Sequence, residues 1–281
     1  MKNVIACING ISPTLSTCKA SAWVAKTIDA PLILFNAIDK TTRPVPSELS
    51  GQIGLGSQEE LLEELAELDE ARSKIMLIHS NKLLEDATAW ASNEGVVNVS
   101  KLQRHGSLLD NLLDLEDELR VLVIAKSEQE NENVSAIGSQ LESVIRSIKA
   151  HILVVSNKFE RPDSYLIAFD GSPISEKLIA KAISTPLLKE LDCHLVMVDD
   201  SGKKSTAFKQ AVSELQRVGI DVQEAILEGP IEQALLDYQQ QHQVGMMVMG
   251  AYGHTKLRQF FVGSNTTQVL ANSRVPLLLI R

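Results

Sequence analysis

Gly250, Gly253, Gly263 and Ser264 form a G-x2-G-x9-G-S pattern whose residue types suit the holding of an anion. It follows an apolar run, Val244-Gly-Met-Met-Val-Met249, that reads as a buried strand. It precedes an amphipathic segment that reads as a helix. Glycine lets the backbone come close to a bulky ligand and tolerates positive φ. A helix N-terminus offers unpaired N–H groups and the positive end of its dipole. Strand, glycine loop and helix entry together suit a phosphate. The plain alternative is a surface loop with incidental glycines, and the internal repeat of the chain argues against it.

Shifted back by 125 positions, the C-terminal segment lands on the first half without a gap. Val121-Leu-Val-Ile124 falls on Met246-Met-Val-Met249, Gly138-Ser139 on Gly263-Ser264, and Ile152-Leu-Val-Val155 on Leu277-Leu-Leu-Ile280. The half starts match at a shift of 161, Val4 to Gly10 against Tyr165 to Gly171. The first half therefore carries an internal insertion. A repeat of this length is a duplicated domain rather than a solenoid. The expected units are residues 1–157 and 158–281.

Each half reads β-α-β-α-β-α-β-α-β. In the second half the strands are expected at 164–169, 192–198, 221–226, 244–250 and 276–280, and the helices at 173–190, 203–218, 230–242 and 264–273. The strands are short continuous apolar runs, the pattern of a sheet covered on both faces. The fold class is α/β: two tandem, open, mostly parallel five-stranded domains. Such sheets bind ligands at the carboxyl ends of strands where strand order reverses. Asp170-Gly171 and Gly250 both stand at such ends.

The insertion of the first half starts as a loop from Asp39 to Gly56, with Arg43-Pro-Val-Pro46 and Gly51-x-x-Gly54-x-Gly56. Those glycines lack dinucleotide-binding spacing and read as loop. A capping box, Ser57 to Glu60, then opens a long acidic helix reaching about Ser92.

Composition narrows the function classes. The chain has 281 residues and a formal charge of −9. That balance argues against nucleic acid as a partner, since phosphate backbones demand clustered Lys and Arg. No apolar run is long enough to span a membrane, and the N-terminal apolar run reads as a first strand, so the expected location is the cytoplasm. Cys7, Cys18 and Cys193 form no C-x-x-C pair; Cys7 and Cys18 read as buried small hydrophobes. The six histidines show no metal-ligand spacing on one helix, so no dedicated zinc site is expected.

The glycine pattern and the tandem repeat together resemble the universal stress protein family. The resemblance covers the whole chain. It implies adenine nucleotide alpha hydrolase-like domains related by pseudo-twofold symmetry, with ATP or a related adenine nucleotide as ligand and magnesium or manganese as candidate companion ions. Residue by residue, it implies that Asp170 borders the nucleotide, that Val198 offers backbone groups to adenine, and that Met249, Gly250, Gly253, Gly263, Ser264 and Asn265 meet ribose and phosphates. The plain alternative for Asp170 is an ordinary Asp-Gly turn. The first half departs from the pattern. Gly250 becomes Ala125, Gly253 becomes Glu128, and Asp170 becomes Asn9; only Gly138-Ser139 survives. A glutamate in a phosphate cradle repels phosphate, so one site per chain is expected, in the second half.

No catalytic constellation accompanies the loop, and the G-x4-G-K-[ST] spacing is absent. The leading expectation is a stress-response sensor or regulator that binds nucleotide. The alternatives are a slow ATPase or phosphotransferase, and a nucleotide-independent scaffold using the N-terminal domain. The apolar terminal strands of the two halves, His151 to Val155 and Val275 to Ile280, should pair within the chain as a pseudo-dimer. A homodimer of whole chains is a candidate assembly.

Overall fold

Ten strands form one continuous sheet, ordered β3-β2-β1-β4-β5-β10-β9-β6-β7-β8. In the first half these are β1 (Asn3–Cys7), β2 (Leu32–Ile38), β3 (Val99–His105), β4 (Leu119–Ala125) and β5 (His151–Val155). In the second they are β6 (Ser164–Phe169), β7 (Asp192–Val198), β8 (Val222–Leu227), β9 (Met246–Gly250) and β10 (Leu277–Ile280). The structure is a computed structural model that describes residues 2–8, 14–38, 55–126, 139–199, 202, 205–250 and 265–281. The side chains of 55–65, 69, 139 and 265–267 lie outside that description as well.

Every neighbouring pair is parallel except one. β10 runs antiparallel to β5, with Leu277 opposite Val154, Leu278 opposite Leu153 and Leu279 opposite Ile152. The strand order reads the same outward from this seam in both directions, which is the expected pseudo-twofold arrangement. Two apolar edges that would template association are thereby buried on each other. At the seam's end the Arg281 amide donates to His151 Nδ1 at 3.1 Å.

Eight helices join the described strands: α1 (Thr14–Thr27), α2 (Leu55–Asn93), α3 (Leu108–Asp114), α4 (Ser139–Ser147), α5 (Pro173–Ser184), α6 (Ser205–Arg217), α7 (Ile231–Gln241) and α8 (Asn265–Asn272). They divide between the sheet faces. Trp23 of α1, Leu84 of α2, Leu178 of α5 and Phe208 of α6 share one core. Leu112 of α3, Val144 of α4, Leu235 of α7 and Val269 of α8 share the other. Each core runs across both halves, so the duplication folds around common interiors.

Burial explains the cysteines. Desolvation pushes the Cys7 thiol up to about 12, and those of Cys18 and Cys193 to about 11. All three stay protonated and buried.

Two local expectations need correction. The helix expected over 173–190 stops at Ser184. Pro186 has no N–H to continue the ladder, and it holds Thr185 extended at φ −84° and ψ 124°; a 3-10 turn, Pro186–Leu188, follows. The acidic helix already includes Leu55, so Ser57 lies inside its first turn rather than capping it. Its other end is close to expectation: Asn93 is the last residue, and Gly95 at φ +84° turns the chain.

Candidate functional site

In the second half the strand order reverses between β6 and β9. The chain steps outward from β6 through β7 to β8, then returns to place β9 on the other side of β6. A crevice opens at the carboxyl ends there. It leads into a cavity of about 140 Å³. Phe169 and Asp170 at the end of β6, Val198 at the end of β7, and Met249 with Gly250 at the end of β9 all line it. Four residues singled out from sequence, Asp170, Val198, Met249 and Gly250, are thus brought to one wall-set from three strands.

Asp170 serves a turn as well as the wall. Its Oδ1 accepts the Ser172 backbone N–H at 2.9 Å, and Gly171 makes the bend at φ +68°. Ser172 then caps α5, its Oγ accepting the Ser175 N–H at 3.2 Å, with Pro173 pre-set for the first turn. The turn fixes where the carboxylate stands. Ser172 and Ser175 also reach the cavity, so its rim is polar where α5 begins. Its inner wall is apolar, from the buried Leu178, Val196 and Leu235.

Val198 closes β7. The register with β6 ends one residue earlier, at Phe169 opposite Met197, while the register with β8 continues to Leu227 opposite Val198. The strand end therefore stands one residue proud of β6 at the crevice.

Space beside Gly250 is tight. Gly250 is not among the described glycines with positive φ. A Cβ built on it would stand 3.2 Å from Ile174 Cγ2, across the cavity mouth. Ile174, Ile231 and Leu235 line the cavity without having been singled out. The sequence signal available for the first of them was the Ser172-Pro173 helix start directly after Asp170-Gly171. Gly253, Gly263 and Ser264 lie outside the described residues, as do His254, Lys256 and Arg258. Asn265 is the first residue of α8.

The corresponding end of the first half is arranged differently. Asn36 Nδ2 donates to the Ile8 carbonyl at 2.5 Å, Ser80 Oγ donates to Asn36 Oδ1 at 2.6 Å, and Gln103 Nε2 donates to Ser80 Oγ at 2.6 Å. Asn36 and Ser80 are buried. The chain of bonds ties β1, β2, β3 and α2 together at their shared end, and these polar groups satisfy one another. Asn36, a polar residue inside the apolar strand β2, was the sequence signal for this network. Asn9, Glu128 and Gly138 lie outside the described residues, and Ala125 is buried at the end of β4.

Histidines far apart in sequence meet elsewhere. His194 Nδ1 lies 3.1 Å from the Tyr238 hydroxyl, and Tyr238 stacks on His242 at 4.1 Å. Burial, then the neighbouring His242, holds His194 below the usual imidazole range. Among the described residues no group of three metal-ligating side chains occurs. No described helix is long and apolar enough to cross a membrane.

The sequence profile of the universal stress protein family matches residues 1–156 and again residues 164–281. The chain belongs to the universal stress protein family. Both matches together cover nearly the whole chain, in agreement with the two-fold repeat of the sheet. A universal stress protein of Synechocystis sp. is 29% identical over 287 residues, spanning 100% of both chains. The fold is similar to the crystal structure of a universal stress protein from Archaeoglobus fulgidus, with a TM-score of 0.68 and 15% identity over 99% of this chain and 96% of that one. A putative universal stress protein from Pseudomonas aeruginosa gives a TM-score of 0.63 at 16% identity, over 100% of this chain and 93% of that one. At these identities the two structural likenesses speak for the fold.

Proposed function

We propose that this tandem universal stress protein is a cytoplasmic sensor or regulator that binds ATP or a related adenine nucleotide in residues 158–281. The observation that carries the reading is the meeting of Asp170, Val198, Met249 and Gly250 around one cavity at the strand-order reversal. The cavity is smaller than the ~300–1,000 Å³ of whole-ligand pockets. It suits the base, against the apolar wall and the end of β7. The ribose then lies over Met249 and Gly250. The phosphates extend along Gly253, Gly263, Ser264 and Asn265, where backbone N–H groups and the start of α8 supply donors. Asp170, at the polar rim, would help hold magnesium or manganese beside the phosphates.

The first half takes no part in this site. Its counterpart of Gly250 carries a Cβ, its counterpart of Gly253 is Glu128, and its strand ends are cross-linked by the Asn36–Ser80–Gln103 network. Its role is to complete the sheet through β5 and β10.

The test is to denature the purified full chain and analyse the released small molecules by mass spectrometry. About one adenine nucleotide per chain is expected, reduced at least tenfold in Gly263→Val. Release of none after equilibration with ATP, or of two per chain, would sink the proposal.

A further inference from the structure

A second and larger cavity lies between the halves, on the face shared by α1, α2 and α5. Its volume is about 740 Å³, within the ~300–1,000 Å³ typical of small-molecule pockets, which favour domain interfaces. It shares no lining residue with the crevice. In the second half it meets Pro186 and Lys189, beyond the C-terminus of α5, whereas the crevice takes that helix's N-terminus. Leu178 is the last residue of α5 to line the crevice, so a further six residues of helix, about 9 Å, separate the two.

The wall chemistry is specific. Both tryptophans of the chain, Trp23 and Trp90, line this cavity together with Phe159. Trp23 and Phe159 pack with ring centroids 5.9 Å apart and planes at 41°. Trp23 and Phe159, only 9% and 5% exposed, form an apolar floor from α1 and from the segment joining the halves, while Trp90, half-buried at the end of α2, lines the space with a partly open ring. Such surfaces stack on planar rings.

Charge supplies the second half of the recognition. Lys19, Lys26, Arg161 and Lys189 line the cavity against Glu94, Glu160 and Glu190. Two of those carboxylates are already matched: Glu160 by Lys158 at 2.6 Å and Glu190 by Arg161 at 3.6 Å. Lys26 Nζ donates to the Glu94 backbone carbonyl at 2.8 Å. Lys189 has no ion pair among the described residues, and Lys19 acts on Glu160 only at longer range. Positive charge is thus left over here on a chain of net charge −9.

We infer that the cleft between the halves binds a small anion carried on a flat aromatic body, an aromatic carboxylate or sulfonate. Trp90 would take the aromatic body over the floor made by Trp23 and Phe159, and Lys19 and Lys189 the anionic group. This site is independent of the nucleotide crevice.

The experiment is a titration of the full-length protein with 2-naphthoate, followed by tryptophan fluorescence, since both reporters stand in the cleft. Saturable quenching with one ligand per chain is expected. The neutral analogue 2-naphthylmethanol should bind at least tenfold more weakly. A Lys19→Glu/Lys189→Glu variant, both positions exposed, should also lose at least tenfold while keeping its circular dichroism spectrum. Saturating ATP should leave the naphthoate affinity within twofold. No saturable change up to millimolar naphthoate overturns the inference. So does equal binding of the neutral analogue, or competitive displacement by ATP. Should the charge-reversed variant misfold, the neutral analogue alone decides the role of charge.

Discussion

Lys126 joins the two halves in a way that can be measured. It is the residue after β4, buried at 8% exposure. Its Nζ donates to the carbonyls of Ala271 at 2.9 Å and Ser273 at 2.6 Å, with Leu270 at 3.4 Å. Those carbonyls belong to the C-terminal end of α8, where backbone acceptors lack helical partners and the dipole favours a cation. Lys126→Met keeps most of the apolar stem and removes the charge. Each charge-assisted bond to a carbonyl contributes about 1.5–3 kcal/mol. The variant also escapes the cost of stripping water from a buried ammonium, which offsets part of that loss. A net loss of about 2–4 kcal/mol follows, which at roughly 2 °C per kcal/mol for a chain of this size lowers Tm by ~4–8 °C. The assay is thermal and urea denaturation beside Lys82→Met, which breaks only an exposed pair with Asp86. That control should change stability by no more than about 0.5 kcal/mol. Equal stability of the two variants would refute the assignment of Lys126 as the cap of α8 across the interface.

Three further outcomes are expected. Burial, followed by the charges of Lys181 and Arg120, lowers His151 from 6.5 to about 4 at the β5–β10 seam. Its contribution is therefore complete above pH 6.5 and is lost as pH falls toward 4, by up to about 3 kcal/mol. Urea melts of parent and His151→Gln across pH 4–7 should diverge in that window, and parallel curves would contradict it. At Gly250, alanine should cost under about 1 kcal/mol, because Ile174 can shift by tenths of an ångström, whereas Gly250→Val should weaken ATP binding at least tenfold by calorimetry. ATP hydrolysis should run far below the ~10 per second of an ordinary enzyme, because no catalytic constellation accompanies the glycine loop in the sequence. Phosphate release that is fast in the parent and absent in Gly263→Val would place the protein among enzymes.

Much of the architecture was legible because strand and helix signals are local. Continuous apolar runs such as Val121 to Ile124 mark strands covered on both faces, and the matching runs 125 positions later reveal the duplication. The site was legible in part for the same reason: Asp170-Gly171 and Gly250 each sit at a strand end, and parallel α/β topology sends such ends to one edge. Pro186 was legible in principle, since proline interrupts a helix whatever surrounds it. What the sequence did not reveal depends on distant residues meeting. Trp23, Trp90, Phe159 and Lys189 have no pattern among themselves, and only the pairing of β5 with β10 brings their elements around one cleft. Lys126 likewise looks like a strand-end surface lysine until α8 of the other half closes over it. The Asn36–Ser80 bond joins residues 44 positions apart and needed the full course of α2 to become visible.

One nucleotide is expected to bind per chain, in the second half. Isothermal titration of ATP, with magnesium, into the nucleotide-stripped full-length protein tests it most directly. The expected stoichiometry is near one, unchanged by Ala125→Val in the first half and abolished by Gly263→Val in the second. A stoichiometry near two, or binding lost in Ala125→Val and kept in Gly263→Val, would contradict it.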